Sequence, residues 1–216
     1  MKRFALITLF CSLASVLMCA DIFAQVERQD DRDDVRPNSD RWMTEGHHKR
    51  IPNAQQIELY RRAAELGDAS AQFKMALMYD RGKGMPQDYA EAVRWYRKSA
   101  EQGFVEAQYN LGSMYDSGVG VPREYAEAVI WYRKAAEQGH ANAQNNLGAK
   151  YGRGQGVPRS HAEAYVWFSI AVMSGNKGAI KNRDYAASKL SPEDLSVEQK
   201  RVANLFEEIQ QRKEGK

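Results

Sequence analysis

Between Asp88 and Gly103 the apolar residues keep a helical rhythm. Ala92, Trp95, Tyr96, Ser99 and Ala100 recur at i, i+3, i+4, i+7 and i+8, which gathers them on one face of a helix. Asp88 and Glu91 form a D-x-x-E start signal, and Ser160 with Glu163 a full S-x-x-E capping box. Arg97 and Lys98 lie near the far end, where cations complement the helix dipole, and Gly103 supplies a left-handed residue beyond it. Upstream, Ala71, Met75, Met78 and Tyr79 line one face of a second, shorter helix. Gly82, Gly84 and Pro86 break the pattern between the two. The segment therefore reads as helix, glycine loop, helix and glycine turn.

The same pattern returns at a fixed interval. Tyr79, Tyr115 and Tyr151 are 36 residues apart, as are Gly82, Gly118 and Gly154, Pro86, Pro122 and Pro158, and Trp95, Trp131 and Trp167. Residues 67–102 and 103–138 are identical at 21 of 36 positions without a gap. Such periodicity is the signature of a repeat architecture. A degenerate half-repeat (53–66) precedes repeat 1 (67–102), repeat 2 (103–138) and repeat 3 (139–174). A hairpin this short does not bury enough surface to offset the backbone entropy of about 1 to 2 kcal/mol per residue, so each copy must stack on its neighbours. The fold class expected is all-α: an α-α superhelix, or solenoid, of 36-residue helix-turn-helix repeats.

Beyond Gly175 the pattern changes. Lys177 to Ile180 begin another helix, but Arg183 and Asp184 replace the Leu-Gly pair of Leu111-Gly112 and Leu147-Gly148, and no Gly-x-Gly loop follows. Ser191, Pro192 and Asp194 then give an N-cap, a first-turn proline and a capping box. Leu195, Val202, Leu205, Phe206 and Ile209 follow at helical spacing. Residues 175–214 are read as a partial repeat closed by a capping helix, with Arg212 to Lys216 expected to fray.

The front of the chain is of a different kind. Lys2 and Arg3 precede an uncharged apolar run from Phe4 to Ala20, the outline of a secretory signal peptide over residues 1–24. Cleavage after Ala24 fits best, with Ala20 as the alternative. Lipidation at Cys19, or an uncleaved anchor built on this run, would give a tethered protein instead. Residues 25–52 are rich in Asp, Glu and Arg and read as a disordered charged linker. His47 and His48 near its end have no further ligand at metal-binding spacing. The protein is thus expected to be periplasmic or secreted.

Composition acquires meaning once the chain is divided. Over all 216 residues, 31 Lys plus Arg stand against 28 Asp plus Glu, a formal charge of +3. Without residues 1–24 the balance is 29 against 27, or +2. This is too small to indicate a nucleic-acid partner. Both cysteines, Cys11 and Cys19, lie in the signal segment, so the mature chain would have no disulfide. No stable membrane insertion is expected after signal cleavage, and the sequence leaves the oligomeric state open.

The run Ala107-Gln108-x-x-Leu111-Gly112-x-Met114-Tyr115-x-x-Gly118-x-Gly120-Val121-Pro122, followed by Ala126-x-Ala128-x-x-Trp131-Tyr132-x-Lys134-Ala135-Ala136-x-Gln138-Gly139, resembles the Sel-one-like repeat (SLR), a relative of the tetratricopeptide repeat. The resemblance covers about residues 53–190. It implies a right-handed superhelix of antiparallel helix pairs whose first helices line a concave surface.

Candidate chemistry is sparse. The loops around Gly82-Lys83-Gly84 follow a helix and lack the Gly-Lys-Ser/Thr of a phosphate loop, so they are read as left-handed connectors. Glu91, Glu101, Glu127 and Glu137 recur at fixed helical positions as capping and dipole charges. His140 and His161 have no Ser or Cys in a recognisable nucleophile motif. No catalytic residue, cofactor site or metal site is assigned. Trp95, Trp131 and Trp167 are read as core.

Function is then expected where the copies differ on the face away from the buried stripe of each first helix. These positions are Phe73, Lys74 and Leu77; Tyr109, Asn110 and Ser113; and Asn145, Asn146 and Ala149. If the implied geometry holds they line the concave surface, where amides can hold a peptide backbone and aromatic rings offer flat contact. The functional expectation is an exported scaffold that binds a protein or peptide and acts as adaptor or regulator of an envelope process. The alternative is a secreted hydrolase of cell-wall or peptide material, including a β-lactam-binding activity. The resemblance raises that activity through disulfide-rich secreted relatives, whose cysteines the mature chain lacks.

Overall fold

The computed structural model describes residues 53–215. The signal peptide, its cleavage, lipidation or retention, the charged linker and the His47–His48 pair lie outside the described residues. Among the described residues all regular structure is helical, arranged as stacked helix pairs repeating about every 36 residues. None of these helices is long and apolar enough to cross a membrane. The chain divides into two compact units at Trp95/Tyr96.

The first unit contains α1 (Ala54–Glu65), α2 (Ala69–Arg81) and the start of α3 (Tyr89–Glu101). Asn53 caps α1 by accepting from the Gln56 amide at 2.8 Å, and Asp68 caps α2 through the Ala71 amide. Asp88 likewise accepts from the amides of Ala90 and Glu91 at 2.9 and 3.0 Å, as its D-x-x-E signal predicts. The core joins Ile57, Tyr60, Ala63 and Ala64 of α1 to Ala71, Met75 and Met78 of α2, with Tyr79, Met85 and half-buried Trp95 packed against it. Gln72 sits inside this core, and its amide donates to the Ala64 carbonyl at 3.1 Å. The first helix of a pair is not the shorter one: α2 and α3 have 13 residues each. Helix α2 runs on past its apolar stripe until Gly82 takes a left-handed conformation and ends it.

The second unit continues from Tyr96 through α4 (Val105–Ser117), α5 (Tyr125–Glu137), α6 (Ala141–Arg153) and α7 (His161–Met173). A 3-10 turn (Lys177–Ala179), α8 (Ile180–Ala187) and α9 (Pro192–Glu214) complete it. Helix α4 packs on α5, α5 on α6 and α6 on α7, while α8 and α9 both pack on α7. This explains why α7 buries every residue from Ala164 to Ala171: a helix covered on several sides has no polar face to keep.

Two features set the helix spacing. Gly112 and Gly148 lie against the rings of Tyr132 and Phe168, so that an added Cβ would stand 2.8 and 2.9 Å from ring carbons. The Gln72 link also repeats, with Gln108 donating to Ala100 and Gln144 to Ala136, at 3.1 and 3.0 Å. A buried amide at the same place in each copy thus satisfies a carbonyl near the end of the preceding helix. The glycine loops connect helices, as expected. At Gly156 (φ +75°) a Cβ would come within 2.3 Å of the Tyr125 carbonyl oxygen, so the loop presses directly on the start of α5.

Two expectations about helix ends need correction. Ser160 and Glu163 form only half of a capping box. The Glu163 amide donates to Ser160 Oγ at 3.1 Å, but the Glu163 carboxylate accepts from Arg201 and the Ser160 amide donates to the Tyr151 carbonyl. Arg212 to Glu214 do not fray, because α9 is a 23-residue helix. It is anchored by buried Val202 and Ile209, and Arg212 pairs with Glu208 at 3.6 Å. Each such buried aliphatic side chain stabilises by about 1.5 to 3 kcal/mol.

Candidate functional site

All nine residues singled out on the first helices are half-buried, none fully exposed. The copy-to-copy register of the repeat therefore holds them at one depth. Phe73, Lys74 and Leu77 lie on α2 in the first unit, with Lys74 Nζ 4.6 Å from the centre of the Tyr60 ring. The other six lie on α4 and α6 in the second unit.

There the chain assembles a polar strip around the Tyr132 hydroxyl. Tyr132 projects from α5 and is 1% exposed. Its hydroxyl is hydrogen-bonded with Ser113 and Asn146 and donates to Asp116 Oδ2 at 3.4 Å. Burial, and then the negative charge of Asp116, push its ionisation well above the ordinary phenol value. Tyr109 is shifted upward by burial too, against a hydrogen bond with Asn146 that pulls the other way. Both phenols therefore act as neutral hydrogen-bonding groups at physiological pH.

The strip extends in both directions. On one side the Tyr109 ring stacks on His140, with centres 4.4 Å apart and planes 24° from parallel. His140 is itself the N-cap of α6, its Nδ1 accepting from the Ala143 amide at 3.1 Å. On the other side Asp116 Oδ1 accepts from Lys150 Nζ. The ammonium also donates to Gln155 Oε1 at 3.1 Å and stands 4.5 Å over the Tyr125 ring. Lys150 is 4% exposed, and these three groups enclose its side-chain nitrogen.

Two amides remain unfilled. Asn145 donates weakly to Asn146 Oδ1 at 3.4 Å, but Asn145 Oδ1 is buried without a donor. Asn110 is half-buried and has no hydrogen-bond partner among the described residues. Tyr109, Ser113 and Asn146 are thus brought together about one hydroxyl, while Asn110 and Ala149 stand outside the network. Among the described residues no group of three His, Cys, Asp or Glu is placed to hold a metal ion.

Sequence reasoning did not pick out Tyr132, Asp116 or Lys150. One signal was available. Lys150 stands where the other copies carry Met78 and Met114, both buried, so a charge replaces an apolar side chain at a core position. A break in a repeat at a buried site marks a local demand, here the carboxylate of Asp116 in the preceding copy.

Solved structures of other proteins share this architecture. The chain resembles a protective antigen of uropathogenic Escherichia coli strains that displays an SLR fold, with 35% identity and a TM-score of 0.65 over 73% of this chain. It spans only 34% of that antigen's length. It also resembles a Sel1 repeat protein from Oxalobacter formigenes, with 37% identity and a TM-score of 0.56, covering 60% of this chain and 98% of the other. No curated protein matches. The sequence profile of the Sel1 repeat matches residues 57–68, 69–104, 105–140 and 141–176, placing the start of each full copy two residues after Gly67, Gly103 and Gly139, where the repeats defined above begin. With more than half of its length in matched repeats and the expected helix pairs in place, the chain belongs to the Sel1 repeat family.

Proposed function

We propose that this chain is an exported Sel1 repeat scaffold that holds a protein or peptide partner on the first-helix faces of its repeats, as adaptor or regulator of an envelope process. The observation that carries the reading is the strip on α4 and α6. Its side chains are cross-linked and so ordered before any partner arrives, yet Asn145 Oδ1 and the Asn110 amide are left without partners. Asn145 Oδ1 is buried, but the half-buried Asn110 amide offers both a donor and an acceptor on a preordered surface, which suits an extended backbone, whose N–H and C=O groups need both. Tyr109, stacked and half-buried, offers a flat apolar contact beside them. The apolar run over Phe4–Ala20 supports export.

The test pairs two variants of different kinds. Asn110→Ala removes an amide with no internal bond, and Tyr109→Ala removes the stacked ring. Both are expected to reduce capture of the partner from an envelope extract by at least tenfold, with the helical circular dichroism signal retained. Unchanged capture by Asn110→Ala and Tyr109→Ala would reject the assignment of this face.

A further inference from the structure

A second surface lies away from the strip, among α5, α7 and α9 of the second unit. A cavity of about 690 Å³ opens there, within the size range of ligand-binding clefts. Arg133, Lys200, Arg201 and Arg212 line it against two acids, Glu137 and Glu208. The excess is therefore two positive charges on a chain whose total is only +3. Two of the four cations are occupied: Arg201 by Glu163 and Glu198, and Arg212 by Glu208. Among the described residues Lys200 has no carboxylate partner, and Arg133 donates to the Tyr151 hydroxyl instead of an acid. The apolar part of the lining includes Val197, which is 63% exposed.

The lining from α9 forms a stripe at helical spacing, from Val197 through Arg201 and Leu205 to Glu208 and Arg212. The fifteen helical rises from Val197 to Arg212 give this stripe a length of roughly 22 Å. Such a length suits a peptide segment better than a single small anion.

An internal contrast between copies adds to the charge argument. In repeat 2 the Trp131 indole N–H donates to Glu127 Oε2 at 3.2 Å, one helical turn away. In repeat 3 the equivalent acid, Glu163, is held by Arg201 at 2.6 Å. Trp167 Nε1, in the wall of the cavity, is left buried with no acceptor. A buried donor without a partner destabilises the site that holds it. A carboxylate from outside that took over Arg201 would release Glu163 to serve Trp167 as Glu127 serves Trp131.

We propose that this cavity is a docking site for an acidic peptide segment of a partner protein, bound by Arg133, Lys200 and Arg201 through its side-chain carboxylates. Binding exchanges the Arg201–Glu163 pair for an Arg201–ligand pair and gives the Trp167 indole its missing acceptor. The site is separate from the α4/α6 strip and does not depend on it.

The test uses the purified full chain and a fluorescein-labelled hexaglutamate peptide, read by anisotropy, with hexalysine and phosphatidylglycerol vesicles as comparison probes. Saturable binding of hexaglutamate that weakens with added salt is expected, with a change in tryptophan emission that Trp167→Phe removes. Lys200→Glu changes a side chain with no internal partner, so the fold should be kept while affinity falls at least tenfold. Asn110→Ala should leave this binding unchanged. Equal binding of hexaglutamate by Lys200→Glu, no binding at all, or binding of vesicles but not of hexaglutamate would each overturn the proposal.

Discussion

Lys150 and Asp116 are unequal partners. Lys150 is 4% exposed, whereas the Asp116 side chain keeps 25% of its surface and is reached by water. Removing the carboxylate leaves an ammonium stranded in the interior; removing the ammonium leaves a carboxylate that can be rehydrated. Asp116→Ala is therefore expected to destabilise the fold by about 3 kcal/mol, the cost typical of a broken buried pair. Lys150→Met restores the residue type found at Met78 and Met114 and should cost less than about 1 kcal/mol. Urea unfolding of the two variants checks the asymmetry, and equal losses would refute it. This pair also marks the limit of what the sequence made legible. The strip positions on α4 and α6 follow from helical spacing alone, because depth repeats with the copy. The network joining them does not, since it depends on whether a hydroxyl on α5 reaches an amide on α6, and on a pairing 34 residues apart.

At the scale of the element, the repeat explains both the regular links and the place where they stop. In repeat 2, Gln138 donates to the Gly103 carbonyl at 3.1 Å and to Gln108 Oε1 at 2.8 Å, joining the end of α5 to α4. The residue at that position in repeat 3 is Ser174, too short to make the same reach. Gln144 Oε1 and Ser174 Oγ are accordingly both buried without partners. Ser174→Gln should rebuild the link between α7 and α6 and raise stability by about 1 kcal/mol, the net worth of a typical hydrogen bond. A lower melting temperature for Ser174→Gln would show that the last copy is not spaced like the second. Helix identity and order were readable from apolar spacing and glycine punctuation. Helix length was less so, because α2 continues through polar residues up to Gly82, where a left-handed turn rather than loss of the apolar stripe ends it.

For the second unit as a whole, α9 supplies the cover that a further repeat would otherwise provide. It packs on α7 and contributes buried Val202 and Ile209, and Arg201 ties it to Glu163. Deleting residues 191–216 would uncover apolar surface on α7, a helix whose central residues are buried from Ala164 to Ala171. The shortened chain is expected to lose at least about 3 kcal/mol, the sum of two buried aliphatic side chains at the low end of their range, and to bind the dye ANS. Native-like stability without dye binding would mean that α9 is dispensable. The sequence announced this helix through Ser191, Pro192 and Asp194, but not its second role as a wall of a basic cavity. That role arises from α9 meeting α5 and α7, which no local pattern encodes.

The pairing of Lys150 with Asp116 has a consequence for how such an array can grow. Repeats spread through genes by tandem duplication, which works while any copy can follow any other. Duplicating residues 139–174 would set a second Lys at the buried position, facing the residue that stands where Asp116 stands in its own copy. In repeat 3 that residue is Gly152. The new ammonium would be enclosed with no carboxylate to receive it. A second copy of repeat 3 placed directly after the first is therefore expected to be less stable than one placed after repeat 2, unless its Lys is changed to an apolar residue like Met78 and Met114.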